Sequence, residues 1–170
     1  MYLQQLGKTP FFKKEKPTPY DEAMSLIWFL ENVFYEAGGN IMSFLKNTFP
    51  DIIDTSKPVL RMGFWPGGDR DGNPYVLYDT TLKVAAALRG SILKCYYLQL
   101  RKMKRRLTFR GIEQLVTTLE EQLYENIFIP GKTTSISQKS ILGILNQMRQ
   151  IIIDRHDGLF VHLIDNLIMK

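Results

Sequence analysis

Cysteine and histidine are almost missing from this chain. Its 170 residues hold one cysteine, Cys95, and two histidines, His156 and His162. A single cysteine excludes an internal disulfide framework and any multi-cysteine metal site, and it fits a reducing, cytoplasmic setting. The histidines stand six positions apart, which is neither of the helical spacings that bring two metal ligands onto one face. Long hydrophobic runs are absent too. The longest, Ala23 to Leu30, is interrupted by Ser25, far short of the roughly 20 apolar residues of a membrane-spanning helix. The opening MYLQQLGKTPFFKKEK lacks the basic-then-apolar layout of a secretory leader. Acidic charge is missing from one stretch: Lys94 to Arg110 carries seven basic residues and no Asp or Glu, in a chain of net charge +5.

What is present suits one folded domain. Hydrophobic residues make up 45% and charged residues 23%, enough to bury a core and too apolar for a disordered chain. Residues 1–16 show no sustained period. Thr18, Pro19, Asp21 and Glu22 then form a helix start: a capping hydroxyl, a proline suited to the first position, and two acids at the positive end of the dipole. Apolar residues at three- and four-residue steps (Ala23, Ile27, Leu30, Phe34, Ala37, Ile41) extend this helix over 17–49, with Gly38-Gly39 expected to bend it. Val59 to Phe64 reads as a short strand, the one convincing strand in the chain. Asp79 is the expected cap of a long helix over 79–107, and the spacing places further helices over 112–128, 138–154 and the final LFVHLIDNLIMK, a helical part spanning 112–169. The fold class is mainly α, as one helical domain over 1–170.

On the 79–107 helix, at about 100° per residue, Leu82, Ala85, Ile92, Tyr96, Leu100, Met103 and Leu107 share one side. Lys83, Lys94, Arg101 and Arg105 share the other. This face is either a solvated surface or a contact for nucleic acid or an acidic partner; no aromatic platform lies among its basic residues. Arg89 projects with the apolar side, so a buried arginine is expected there, held by an ion pair or facing a polar cavity.

Familiar catalytic patterns are scarce. PGKTTS has Gly-Lys-Thr without the first glycine of a phosphate loop. DRDGNP resembles the start of a calcium loop, but Pro74 stands where glycine is required and Thr80 where the bidentate glutamate belongs. The conspicuous segment is GFWPGGDRDGNPYV, residues 63–76, with four glycines, two prolines, two aspartates and an arginine beside Trp65. Gly67 and Gly68 allow special backbone angles or close approaches, Asp69 and Arg70 can fix the loop, and Asp71-Gly72-Asn73-Pro74 is turn chemistry. Such a loop is either an elaborate structural turn or the frame of a site.

This segment resembles a signature of the phosphoenolpyruvate carboxylase family, a tryptophan and one variable residue followed by GGDRDGNP. KPTPYDEA, residues 16–23, is similar to the family's segment ahead of a long helix, and Arg89 falls where the family tends to carry arginine. The resemblance implies an internal part of a longer enzyme, an excised piece of a helix-rich β/α barrel. That enzyme adds bicarbonate to phosphoenolpyruvate with Mg2+ or Mn2+, giving oxaloacetate and phosphate, a carbon-fixing lyase feeding the tricarboxylic acid cycle. It further implies that Val59 to Phe64 is a barrel strand and 65–78 an active-site loop. Trp65 would line the apolar pocket where enolate and carbon dioxide meet, framed by Gly67, Gly68, Asp69, Arg70, Asp71 and Asn73. The family's TAHPTE and GRGGxxGRGG segments do not occur in the sequence, and the resemblance implies that its acidic metal ligands and its next barrel strand lie outside this stretch. The expectation is a chain inactive by itself that self-associates, with no metal ligands of its own and neither nucleic acid nor membrane as partner. The alternative is a free-standing helical module whose basic helix binds nucleic acid or an acidic partner.

Overall fold

The first long helix is fixed by its cap. Thr18 Oγ1 accepts from the Asp21 N–H at 3.2 Å, while the Asp21 carboxylate accepts from the Thr18 N–H at 3.0 Å, with Pro19 in the first position. Two orphan donors of the helix start are satisfied reciprocally. The computed structural model describes residues 2–8, 16–53, 59–107, 111–129, 136–155 and 158–169. His156, Asp157 and most of the IPGKTTS loop lie outside them. Seven α-helices are described: α1 (Tyr2–Lys8), α2 (Pro19–Phe29), α3 (Tyr35–Thr48), α4 (Tyr78–Lys104), α5 (Ile112–Phe128), α6 (Gln138–Asp154) and α7 (Gly158–Met169). The architecture is mainly α.

Several sequence expectations are corrected here. Helix α1 lies in the segment read as aperiodic, because seven residues make too few turns for a period to show. The interruption of the 17–49 helix is a π-helical turn at Leu30–Phe34, between α2 and α3, and not a bend at Gly38-Gly39. The two glycines stay helical, with Gly39 buried and Leu60 packed beside Gly38, so they permit close packing where a bend was expected. Val59 to Phe64 is not a strand. Among the described residues no strand exists to pair with it, and a ladder needs a second backbone whatever the β-preference of the segment.

Helix α4 is the hub of the molecule. It starts after Leu77, its N-cap residue, so Asp79 sits in the first turn instead of capping it. The expected single stripe is redistributed. Leu82 is 64% exposed and Ala85 is exposed, whereas Val84, Leu93 and Cys95 are buried. The cause is that α2, the π turn, α5 and α7 all pack on α4, so it is covered from more than one side. The main core interleaves Leu100 and Leu107 with Val116, Leu119 and Leu123 of α5, Leu145, Met148 and Ile152 of α6, and Ile164 of α7. An ion pair between Arg149 and Asp165, at 2.7 Å, ties α6 to α7.

The basic face is partly engaged and not simply solvated. Lys94 reaches Glu31 of the π turn at 2.7 Å, and Arg101 and Lys104 converge on Glu120 of α5 at 3.7 and 2.5 Å. Arg101 also stacks over the Tyr97 ring. These pairs are half-exposed, so each contributes about 0–1 kcal/mol; they align the helices that apolar burial holds together. The core therefore carries the stability. Leu119→Ala, at a fully buried position, is expected to cost about 2–5 kcal/mol, whereas Phe44→Ala, at a side chain 66% exposed, is expected to stay within about 0.5 kcal/mol. Denaturant unfolding followed by helicity measures both.

Candidate functional site

The 65–78 loop is built from three successive turns. The Gly68 and Asp69 N–H groups both donate to the Trp65 carbonyl, at 2.9 and 3.0 Å. The Asn73 N–H donates to the Arg70 carbonyl at 3.2 Å, and the Val76 N–H to the Asn73 carbonyl at 3.2 Å. Side chains brace the turns: the Asp69 carboxylate accepts from the Asp71 N–H, and the Asn73 amide oxygen from the Tyr75 N–H, each at 3.1 Å. Each residue type has a reason. Gly67 and Gly72 have φ of +74° and +68°, which an L side chain adopts only at a cost. Pro74 occupies the second position of the last turn, where its fixed φ is favourable. Gly68 has no positive φ.

Helix α4 then seats the loop. The Thr81 hydroxyl donates to the Gly67 carbonyl at 2.7 Å. A Cβ on Gly67 would lie 2.6 Å from Val84 Cγ2, so the glycine permits direct contact between loop backbone and helix. Pro66, Gly67 and Val76 are buried against this end of the molecule. Neither Thr81 nor Val84 was singled out in the sequence. Thr81 is fourteen residues from its partner, and no local pattern announces such a contact.

The seated loop turns its functional candidates outward. Trp65 is 72% exposed, and Gly68, Asp69, Arg70, Asp71 and Asn73 are exposed as well. Tyr75, Leu77, Tyr78 and Leu82, further along the chain, are exposed as well. Arg70 and Asp69 do not pair; the Asp69 carboxylate is spent on the turn. Arg89 departs from expectation. It is exposed, and its guanidinium donates to neutral acceptors, the Ile136 carbonyl at 3.2 Å and the Asn126 amide oxygen at 3.4 Å. Asn126 also accepts from the Ile136 N–H at 2.9 Å, so Arg89 clasps the end of α5 to the start of α6. No acid is needed, because the residue keeps its access to water.

A cavity of about 1040 Å³ opens between α3, α4, α6 and the 59–64 segment, lined by Phe34, Met42, Leu60, Phe64, Ile92 and Leu142 among others. Arg89 reaches it, but Trp65 and the GGDRDGNP residues do not line it. Tyr35 and Tyr96, 6.2 Å apart between ring centres, stand on its wall. Burial foremost, then Tyr96, Cys95 and Glu36, holds the Tyr35 phenol far above its ordinary range. Burial and Cys95 likewise raise Tyr96. Both hydroxyls therefore stay protonated near neutral pH. Among the described residues no group of three or more His, Cys, Asp or Glu side chains is placed to hold a metal ion. His162 is exposed on α7. No described helix is long and apolar enough to cross a membrane.

Comparison with known proteins agrees with the family that the signature around Trp65 resembles. The family model for phosphoenolpyruvate carboxylase matches residues 2–147. The phosphoenolpyruvate carboxylase of Vibrio vulnificus strain YJ016 is 28% identical over 148 residues, covering 82% of this chain and 17% of the relative. Phosphoenolpyruvate carboxylase 4 of Arabidopsis thaliana is 26% identical over 144 residues, covering 81% and 14%. The Rhodothermus marinus phosphoenolpyruvate carboxylase is 32% identical over 99 residues, covering 56% and 11%. No solved structure matches. The chain belongs to the phosphoenolpyruvate carboxylase family, and it spans 17% or less of the length of these relatives.

The seat of the loop separates the two positive-φ glycines experimentally. Gly67→Ala meets both the backbone cost and the Val84 contact, whereas Gly72 faces open space. Gly72→Ala is expected to cost about 1–2 kcal/mol and Gly67→Ala clearly more. Adding Val84→Ala should recover part of the Gly67→Ala loss and none of the Gly72→Ala loss, read as a coupling energy in a double-mutant cycle.

Proposed function

We propose that this chain supplies one wall of the active site of a phosphoenolpyruvate carboxylase, a lyase that adds bicarbonate to phosphoenolpyruvate to give oxaloacetate and phosphate. The observation that carries the reading is the exposed Trp65 indole on a loop braced by its own turns and seated on Thr81 and Val84. An apolar face of this size, presented toward the rest of a longer enzyme, would exclude water from the reacting enolate and protect it from protonation. Gly67 to Asn73 frame that wall; no proton-transfer step is assigned to Asp69, Arg70 or Asp71. In this reading the substrate-binding and metal-binding groups belong to other parts of the longer enzyme. The chain alone is inactive, works in the cytoplasm, and self-associates when its apolar faces are left uncovered. A nucleic-acid role for the basic helix is disfavoured by the engagement of Lys94, Arg101 and Lys104 with Glu31 and Glu120.

The test is a graft. The Vibrio vulnificus relative carrying residues 59–78 of this chain in place of its own matching segment is expected to fold and to convert phosphoenolpyruvate and bicarbonate to oxaloacetate. The same graft with Trp65→Leu is expected to fold while its turnover falls at least roughly tenfold, about 1.4 kcal/mol of barrier. Undiminished turnover in the Trp65→Leu graft would contradict the wall role.

A further inference from the structure

The Thr81 hydroxyl reaches Trp65 through a single peptide group. It donates to the Gly67 carbonyl at 2.7 Å. The N–H on the other side of that same peptide bond belongs to Gly68, and it donates to the Trp65 carbonyl at 2.9 Å. A peptide group is planar and rigid, so holding its oxygen on α4 also aims its N–H, and two hydrogen bonds in series polarise each other. Trp65-Pro66-Gly67-Gly68 has the composition this path requires, with proline second and a positive-φ glycine third, as in a type II turn. The other acceptor within reach of the hydroxyl, the Leu77 carbonyl one helical turn back, is more distant at 3.3 Å.

We propose that Thr81 is a positioning residue for the Trp65 wall, its hydroxyl fixing, through the Gly67–Gly68 peptide, the direction in which the indole meets the reacting enolate. The inference rests on the pocket-wall reading of the preceding section. The indole is 72% exposed, so it has few contacts of its own and takes its direction from the backbone that carries it. Direction matters because the enolate carbon has two fates. It forms a bond to carbon dioxide, giving oxaloacetate, or it takes a proton from water, giving pyruvate and hydroxide. A displaced wall admits water to that carbon without removing any group that binds phosphoenolpyruvate. Thr81 therefore governs the ratio of the two products and not the affinity for substrate. Val84 gives the same seat its shape but no hydrogen bond, so the hydroxyl is the separable part.

The test follows both products in the Vibrio vulnificus relative carrying residues 59–84 of this chain, which brings the loop together with Thr81 and Val84. Phosphoenolpyruvate, bicarbonate and Mg2+ are supplied, and oxaloacetate is reduced as it forms so that its own decarboxylation adds no pyruvate. Thr81→Val keeps the side chain's shape and removes the hydroxyl. It is expected to raise the pyruvate-to-oxaloacetate ratio at least roughly threefold, with KM for phosphoenolpyruvate unchanged within about twofold. Thr81→Ser keeps the hydroxyl and is expected to hold the ratio near that of the unaltered graft. In this chain itself, with Trp28→Phe leaving Trp65 as the sole tryptophan, Thr81→Val is expected to lower the anisotropy of Trp65 fluorescence at unchanged helicity, and Thr81→Ser to preserve it. An anisotropy unmoved by Thr81→Val overturns the inference. So does a graft in which Trp65→Leu raises the ratio and Thr81→Val does not, or in which the Val and Ser variants raise it alike, as lost packing alone would. An unchanged ratio with Trp65→Leu is a different failure, that of the wall reading itself.

Discussion

The contact between Gly67 and Val84 is the constraint on which the loop depends. It brings the backbone of a turn against the first turns of α4 at a distance no side chain would permit, and the Thr81 hydroxyl fastens the same point. With that end fixed, the two following turns have only a few residues in which to return to Val76, itself buried. The glycines, prolines and short polar side chains of GGDRDGNP are what such a path requires. Trp65, at the start of the first turn, is left facing outward.

The same helix joins the loop to the core. From Val84 near its start to Leu100 and Met103 near its end, α4 carries buried residues along its length, and its packing partners include α2, α5 and α7. Helix α4 thus joins the seat of the loop to the main apolar cluster. The outer sides of α2 and α3 show a different balance. Trp28, Phe29 and Phe44 are exposed there.

What was legible in the sequence follows from the range of the physics involved. The Thr18 cap, the turns at Gly72 and Pro74, and the bounds of α5 and α6 are local or periodic features, and a single chain displays them directly. The signature around Trp65 was legible for the same reason, since its composition is dictated by turn geometry. Features that need a distant partner were hidden. Val59 to Phe64 has strand-like composition but no neighbouring strand among the described residues. Arg89 was expected to be buried, held by an ion pair or facing a polar cavity, and instead is exposed at the edge of the cavity, bonded to two neutral acceptors supplied by residues 126 and 136. Leu82 and Ala85 left the buried stripe because α4 is packed from several directions, which one helical projection cannot show. The π turn at Leu30–Phe34 carries no proline or glycine to announce it.

The loop is ordered by this chain's own α4. Amide hydrogen exchange at Gly68, Asp69, Asn73 and Val76 tests it most directly. The account expects these four amides to exchange well below the rate of an unstructured peptide, and to lose that protection together when Thr81 is replaced by alanine in the Gly67→Ala background. Exchange at the unstructured rate in the unaltered chain, with the α4 amides still protected, would contradict it.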